Sequence, residues 1–430
     1  MFTDKSGHTY GNGKSSRRGI AFIVVLLLAI ILFLLAITLA TISSRLRIAG
    51  KIYSVRSVIC QFAQMGIEEA IHYLAKNNRW DQAGGPGGFI PTDEVSAVLD
   101  DLTVYYRLEV LNYNINKVTV RSRAYLKDVL GNPTITRSAT ITVVRDASPF
   151  QYGVFGAQRM RFILASTVDS YDSSIGPYSA TSQTTGGDVG TNSLENFSIY
   201  LSWFSWIYGN IYLHPQADPE KVVYQGFGSG FSGSIENMSE AFPLPPVTPP
   251  TGTSMGDVVI NGETRELPPG IYSNLTLKNK AVLILRSGNY VFNRITMRNE
   301  SEIRLKDVTV PAVVYLKDDV EAAHDGGGGV MVRGGSIVNT TQKPPLLYIM
   351  AGTNCQRILL MGRRHQGPSC YFAIYAPNAN ILMYGNSEIY GAMIGKTVTI
   401  FGNSAVHFDQ ALKYSIISPQ NMRFASYQMD

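Results

Sequence analysis

The chain has 430 residues, a net charge of +5 and 16% charged residues, with three cysteines and no Cys-x-x-Cys pair. That length leaves room for two or three domains with sizeable cores. The weak charge gives no argument for a nucleic-acid binder, for which a basic stripe is expected, and the cysteine spacing gives no support to a zinc or redox centre.

Lys5, Lys14, Arg17 and Arg18 make the first residues basic, and Gly19 stands immediately before an uncharged run that begins at Ile20. The run reaches Ser44, 25 residues in all, between Arg18 and Arg45. About 20 apolar helical residues span a bilayer, so residues 20–44 are expected to form a transmembrane helix. The segment is too long for the core of an ordinary cleavable signal peptide. Basic residues favour the cytoplasmic side, which places residues 45–430 across a bacterial inner membrane in a single-pass arrangement.

The helix is expected to continue beyond the membrane, because no proline occurs from Ile20 to Asn77. Ile48, Ile52, Val55, Ile59 and Phe62 are spaced 4, 3, 4 and 3 apart, which puts them on one face. Such a helix, ended by Lys76–Arg79 and the Gly84–Gly88 region, would be roughly 85 Å long. Its outer half needs a partner for the apolar stripe, either the chain's own sheet or neighbouring helices.

Three stretches then alternate with period two. Val104, Tyr106, Leu108 and Val110 form the first, Val118, Val120, Ala124 and Leu126 the second, and Ala139, Ile141 and Val143 the third. Alternation of this kind marks half-buried strands, and Asn112–Asn116 and Gly131-Asn132-Pro133 supply the turns. A long helix with a three-stranded antiparallel sheet makes an α+β unit over residues 45–147.

Residues 148–430 are rich in glycine, asparagine and serine, with short apolar alternations such as Val282–Leu285. Tyr384-Gly-Asn-Ser-Glu-Ile-Tyr-Gly391 is repeated as Phe401-Gly-Asn-Ser-Ala-Val-His-Phe408, 17 positions on, with a weaker echo at Tyr208–Tyr212. Fixed-period similarity signals a solenoid. The pattern is read as an all-β, right-handed β-helix of roughly 17 to 20 residues per coil. Phe242–Gly252, with five prolines, favours an extended connection between two portions of it.

The residues offer little chemistry. Asp318, Asp319 and Asp325, with His324, surround Gly326–Gly329 and could pair carboxylates as a glycoside hydrolase does, but read better as a solvated loop. His407 and Asp409 share one face of a strand and suit a hydrogen-bonded ladder or cap better than a metal site. No Gly-x-Ser-x-Gly or His-Glu-x-x-His motif occurs. The expectation is a protein that is not an enzyme and holds no metal or cofactor. Cys355 and Cys370 could form a disulfide in an oxidising compartment. Trp203, Trp206 and Tyr208 lie in an aromatic segment that is either an internal stack, the reading slightly preferred, or an exposed contact surface for protein or sugar.

The leader, with Gly19 before the apolar run, resembles that of type IV prepilins and pseudopilins, and Phe62-Ala-Gln-Met-Gly-Ile-Glu-Glu-Ala-Ile71 resembles PilX-type minor pilins. The resemblance implies cleavage of a leader, residues 1–19, by a prepilin peptidase between Gly19 and Ile20, then methylation of Ile20. It also implies packing with other pilin subunits in a pilus or secretion filament. Most major pilins carry glutamate at the fifth mature position, where this chain has Val24. That departure is shared by tip-type minor pilins and points to a tip or priming position. Ile374–Asn380, Ile389–Gly395 and Val406–Asp409 resemble a β-helical domain found behind such N-termini, and the repeat style is similar to bactofilin-like β-helices. The resulting expectation is a non-catalytic minor pilin-like protein displaying a β-helix for adhesion or substrate contact. An uncleaved envelope scaffold and a tethered polysaccharide enzyme are the alternatives.

Overall fold

The computed structural model describes residues 15–77, 79–99, 102–114, 116–145, 148–179, 181–306, 308–317, 330–333, 336–361, 370–415 and 422–430. They fall into two compact units, one built from the N-terminal helix, residues 81–144 and 423–430, the other chiefly from residues 145–422.

Helix α1 runs unbroken from Ser15 to Lys76, as a proline-free sequence allows. It is long and apolar enough to cross a membrane. Asn77 closes it by directing both its backbone N–H and its side-chain Nδ2 to the Tyr73 carbonyl, at 3.2 and 2.9 Å. The apolar stripe has two environments. Ile48 and Ile52 are exposed, whereas Ile59, Ala63, Ile67, Ala70 and Leu74 are buried. Burying each large aliphatic side chain contributes about 1.5–3 kcal/mol, so the second stretch holds the helix to its sheet.

That sheet contains β1 (Val95–Leu99), β2 (Leu102–Tyr113), β3 (Lys117–Lys127) and β4 (Pro133–Arg145), followed by the C-terminal strand Met422–Met429. Pairing from β1 to β4 is antiparallel. Val104, Tyr106, Leu108, Val118, Val120, Ile141 and Val143 face inward, as their alternation requires. Asn114 Oδ1 accepts from the Asn116 and Lys117 N–H groups at the first turn. Asp128 Oδ1 does the same for Leu130 and Asn132 at the second, and Gly131 takes φ +85° there.

The sheet has five strands, not three. In β1, Val95 and Val98 are exposed, so no alternation announces the strand. The C-terminal strand joins β4 across about two thirds of the chain, through reciprocal Ser138–Asp430 backbone bonds. Residues 423–430 therefore belong to the first unit, although their sequence reads as the end of the second.

The second unit is built mainly from parallel strands. Val258–Asn261 pairs with Asn274–Lys278, which pairs with Arg294–Arg298, then Val330–Arg333, then Arg357–Met361. A second parallel series runs through Gly270–Ile271, Gly288–Phe292, Ala312–Leu316, Leu347–Ala351 and Tyr371–Tyr384. A third joins Thr264–Glu266 to Val282–Leu285, Glu302–Leu305 and Ser336–Asn339. The 17-residue repeat is a register relation, since Tyr384 pairs with Phe401 and Ile381 with Val398.

Side chains alternating inward make one long apolar core, including Val154, Ile199, Leu275, Ile295, Ile349, Ile374 and Met393. Strand Glu388–Phe401 pairs on one side with Tyr371–Tyr384 and on the other with Val154–Ile163. The early strands thus stack onto the late ones. The proline-rich segment 242–252 lies between these two runs of strands. Asn192 exchanges hydrogen bonds with the Phe242 backbone at 2.8 and 2.9 Å. Tyr375 Oη donates to the Pro245 carbonyl at 2.7 Å, and Val247 is buried against an outer apolar cluster that includes Tyr348 and Tyr375.

Candidate functional site: an exposed aromatic edge

The parallel stack turns sharply where strands end, and backbone conformation there decides which residues fit. Gly402 and Asn403 (φ +77° and +54°) make one such turn, and Gly385 and Asn386 make the same turn one repeat earlier. Asn279 and Asn299 also adopt positive φ. Their side chains form a ladder in which Asn279 Nδ2 donates to Asn261 Oδ1 and Asn299 Nδ2 to Asn279 Oδ1, at 2.8 and 2.9 Å. Asparagine and glycine enter this left-handed region at low cost.

The next copies of the Gly402–Asn403 turn carry different residues. Asn403 N–H donates to the Leu164 carbonyl, Ala165 N–H to that of Trp203, and Phe204 N–H to that of Phe227. Leu164, Ala165, Trp203 and Phe204 all have φ between +52° and +64°. Trp203 is 59% exposed and Phe204 57%, so the strain is not compensated by burial. The preferred expectation of an internal aromatic stack is therefore corrected: the turn projects these rings outward. Trp206 and Tyr208 are also partly exposed, their rings 6.4 Å apart. Tyr200 stacks on Tyr224 at 4.7 Å, and Phe204 meets Phe227 edge-on at 5.3 Å. Strands Val223–Gln225 and Gly230–Phe231 pair on one side only among the described residues, so this aromatic surface lies at an end of the stack. Tyr208–Tyr212 does not occupy the Gly-Asn turn. Ile207 and Tyr208 instead follow the Val168–Asp169 side of the stack.

His407 lies in a lateral column of side chains in register with Tyr371, Tyr390 and Asp169. Its ring stacks on Tyr390 at 4.6 Å and packs against Tyr178 at 4.1 Å. Its Nδ1 is 2.6 Å from Asp169 Oδ1, while Asp169 Oδ2 accepts from Tyr178 Oη and Gln183 Nε2. Burial, and then the Asp169 carboxylate, push the Tyr178 phenol well above its ordinary pKa. With only 8% of His407 exposed, the imidazole is enclosed by these neighbours, and the geometry is that of a ladder. Asp409 separates from it and caps a short 3-10 helix, accepting from Ala411 N–H and from the Ser173 N–H and hydroxyl. Among the described residues no group of three His, Cys, Asp or Glu side chains could hold a metal ion.

Gly19 and Ile20 fall within α1, but their side chains lie outside the described residues, as does the structure of residues 1–14. Asp318, Asp319, His324, Asp325 and Gly326–Gly329 also lie outside them. Cys355 is buried and Cys370 half-buried, both against the long apolar core. Asp169 escapes sequence reasoning because 238 positions separate it from His407, and no local spacing links the two.

Residues 272–415 match a family model described as a domain of unknown function (DUF7305). No curated protein matches the chain. Among solved structures, the competence-associated pilin ComZ from Thermus thermophilus is similar at 9% identity, over 86% of this chain and 96% of that one. The TM-score of 0.26 is too low to transfer either fold or function.

Proposed function

We propose that this chain is a non-catalytic, pilin-like membrane subunit whose parallel stacks form a right-handed β-helix held out for contact. Right-handedness follows from the general rule for parallel crossovers. The observation that carries the reading is the division of α1. Leu26–Leu39 presents exposed apolar side chains, and after Ile52 the same helix turns its stripe onto its own sheet. An apolar half without a cover among the described residues suits a bilayer first and neighbouring helices of a filament later. The partners would be a prepilin peptidase, other pilin subunits and a surface glycan or protein reached by the aromatic edge.

Processing between Gly19 and Ile20 is part of this reading, as is pairing of Cys355 with Cys370 after export. Gly19→Ala is expected to leave the precursor uncleaved when it is co-expressed with the peptidase. A wild-type chain that keeps residues 1–19, and so differs from the variant only by the methylene of Gly19→Ala, would sink the pilin reading and favour an uncleaved anchor. A peptide containing Cys355 linked to Cys370, seen in a non-reducing digest of exported protein and absent after reduction, would support the pairing.

A further inference from the structure

A second surface of the β unit gathers positive charge and adjoins the aromatic edge, where Arg161 is in register with Tyr200. Arg357, Asn380, Thr397 and Arg159 are consecutive register partners on four neighbouring strands. Beside them, Leu382, Thr399 and Arg161 form a parallel column. Side chains two positions apart on a strand point to the same face, so Arg159 and Arg161 both face outward. These residues line a cleft of about 580 Å³. A second hollow of about 710 Å³ shares Gln356 and Asn380 with it and adds Lys396. The hollows meet where register slips between Ala376 and Asn380 and between Gly395 and Thr397. Such irregularities bend strands and re-aim side chains.

Four cations therefore share one groove. Glu195 pairs with Arg159 at 3.1 Å on the rim, with both side chains well exposed, and such a pair is worth little in water. Arg161, Arg357 and Lys396 enter no ion pair among the described residues. Assembling like charges without partners raises the local potential and attracts anions. The floor is neutral and rich in hydrogen-bonding groups. Thr397 Oγ1 donates to Asn380 Oδ1 at 2.8 Å, which leaves the Asn380 amide N–H groups to donate elsewhere.

We propose that this groove binds an acidic polysaccharide, a chain carrying carboxylates at intervals among hydroxyl-rich rings. Arginine receives carboxylates through paired N–H donors, and amides and hydroxyls suit the sugar hydroxyls between them. Rows of donors recur at the spacing of adjacent strands, about 4.8 Å, so Arg357 and Arg159 stand about 14 Å apart, enough to hold successive acidic groups. Nucleic acid fits less well. Tight duplex binding commonly neutralises about 6–10 phosphates, and this groove has four cations, one of them already facing Glu195. The proposal deepens the display role and rests on it for its biological setting.

Binding is tested with the full chain in detergent, using polygalacturonate as the probe and neutral dextran and duplex DNA as comparisons. The expected result is binding of polygalacturonate, none of dextran, and about a tenfold or greater loss in the double variant Arg161→Ala/Arg357→Ala. Asn380→Asp, which places a negative charge on the floor, is expected to weaken binding as well and serves if the double variant does not fold. No binding by the wild type, or equal binding by both variants, would overturn the proposal. Tighter binding of DNA, lost in the same variants, would reassign the groove to nucleic acid. The assay does not depend on cleavage at Gly19, so its failure is distinguishable from failure of the pilin-like reading.

Discussion

Gly66 of α1 lies so close to Ser122 of β3 that a Cβ on the glycine would stand 2.2 Å from the serine Oγ and 3.0 Å from its Cβ. The helix can reach the sheet this closely only without a side chain at that position. Around it, Ile67 and Ala70 are buried, and Tyr106 Oη donates to Glu69 at 2.8 Å. The Gly-Ile-Glu-Glu-Ala segment is thus the contact surface between helix and sheet.

Gly66→Ala tests this contact. Alanine improves helix propensity by about 1 kcal/mol, but overpacking costs about 1–3 kcal/mol. The tightness against Ser122 Cβ leaves only part of the strain to be relieved by turning the hydroxyl. Net destabilisation is expected in denaturant titrations, and adding Ser122→Ala should recover part of it. A variant more stable than wild type would show that the helix and sheet are not in this close contact.

The Tyr106 phenol is pushed up to about 12, first by burial and then by Glu69. A folded pKa above the unfolded value means that the stabilisation is intact below about pH 10 and is lost as pH rises through 12. Tyr106→Phe should cost about 1 kcal/mol at neutral pH and flatten the alkaline decline. An unchanged alkaline profile in the variant would argue against the Tyr106–Glu69 bond.

Asp409 gives an acid-side counterpart. Burial raises its carboxyl from 3.8 to about 6, despite hydrogen bonds from Ser173 and Ala411 that favour the charged form. Because the folded pKa lies above the unfolded one, its contribution is fullest below about pH 4 and is lost as pH rises through 6. A shift of that size corresponds to roughly 3 kcal/mol. Asp409→Asn should remove this pH dependence while keeping an acceptor for the cap. Melting midpoints measured from pH 4 to 7 would show it, and parallel curves for variant and wild type would contradict it.

The outward aromatics should carry a stability cost. Left-handed backbone costs about 1–2 kcal/mol at a residue with a Cβ, and both Trp203 and Phe204 adopt it. Trp203→Gly with Phe204→Asn, which copies the Gly402–Asn403 turn two coils away, should raise stability by about 1 kcal/mol or more after the loss of the Phe204–Phe227 contact. A loss of stability would mean that ring packing outweighs strain at this turn.

Local periodicity made much of the architecture legible. Val104–Leu108 and Val118–Ala124 announced their strands, and the repeat offset predicted the pairing of Tyr384 with Phe401. Features that depend on distant partners left no such trace. The strand Met422–Met429 has its partner β4 about two thirds of the chain away, and His407 has Asp169. Residue types identified an aromatic segment, but only the positive φ of Trp203 and Phe204 shows why its rings face outward. The arginines of the groove sit in ordinary strand positions, and their grouping arises from register between strands distant in sequence.

The proposed role of the N-terminal helix is that of a processed, filament-competent anchor. Its most direct test is the intact mass and N-terminal sequence of the membrane-bound protein from cells that contain a prepilin peptidase. The expected product is a chain beginning at Ile20 with a methylated amine. A membrane-bound chain that retains Gly19 and the residues before it would make the helix an uncleaved anchor and rule out the processed, pilin-like role.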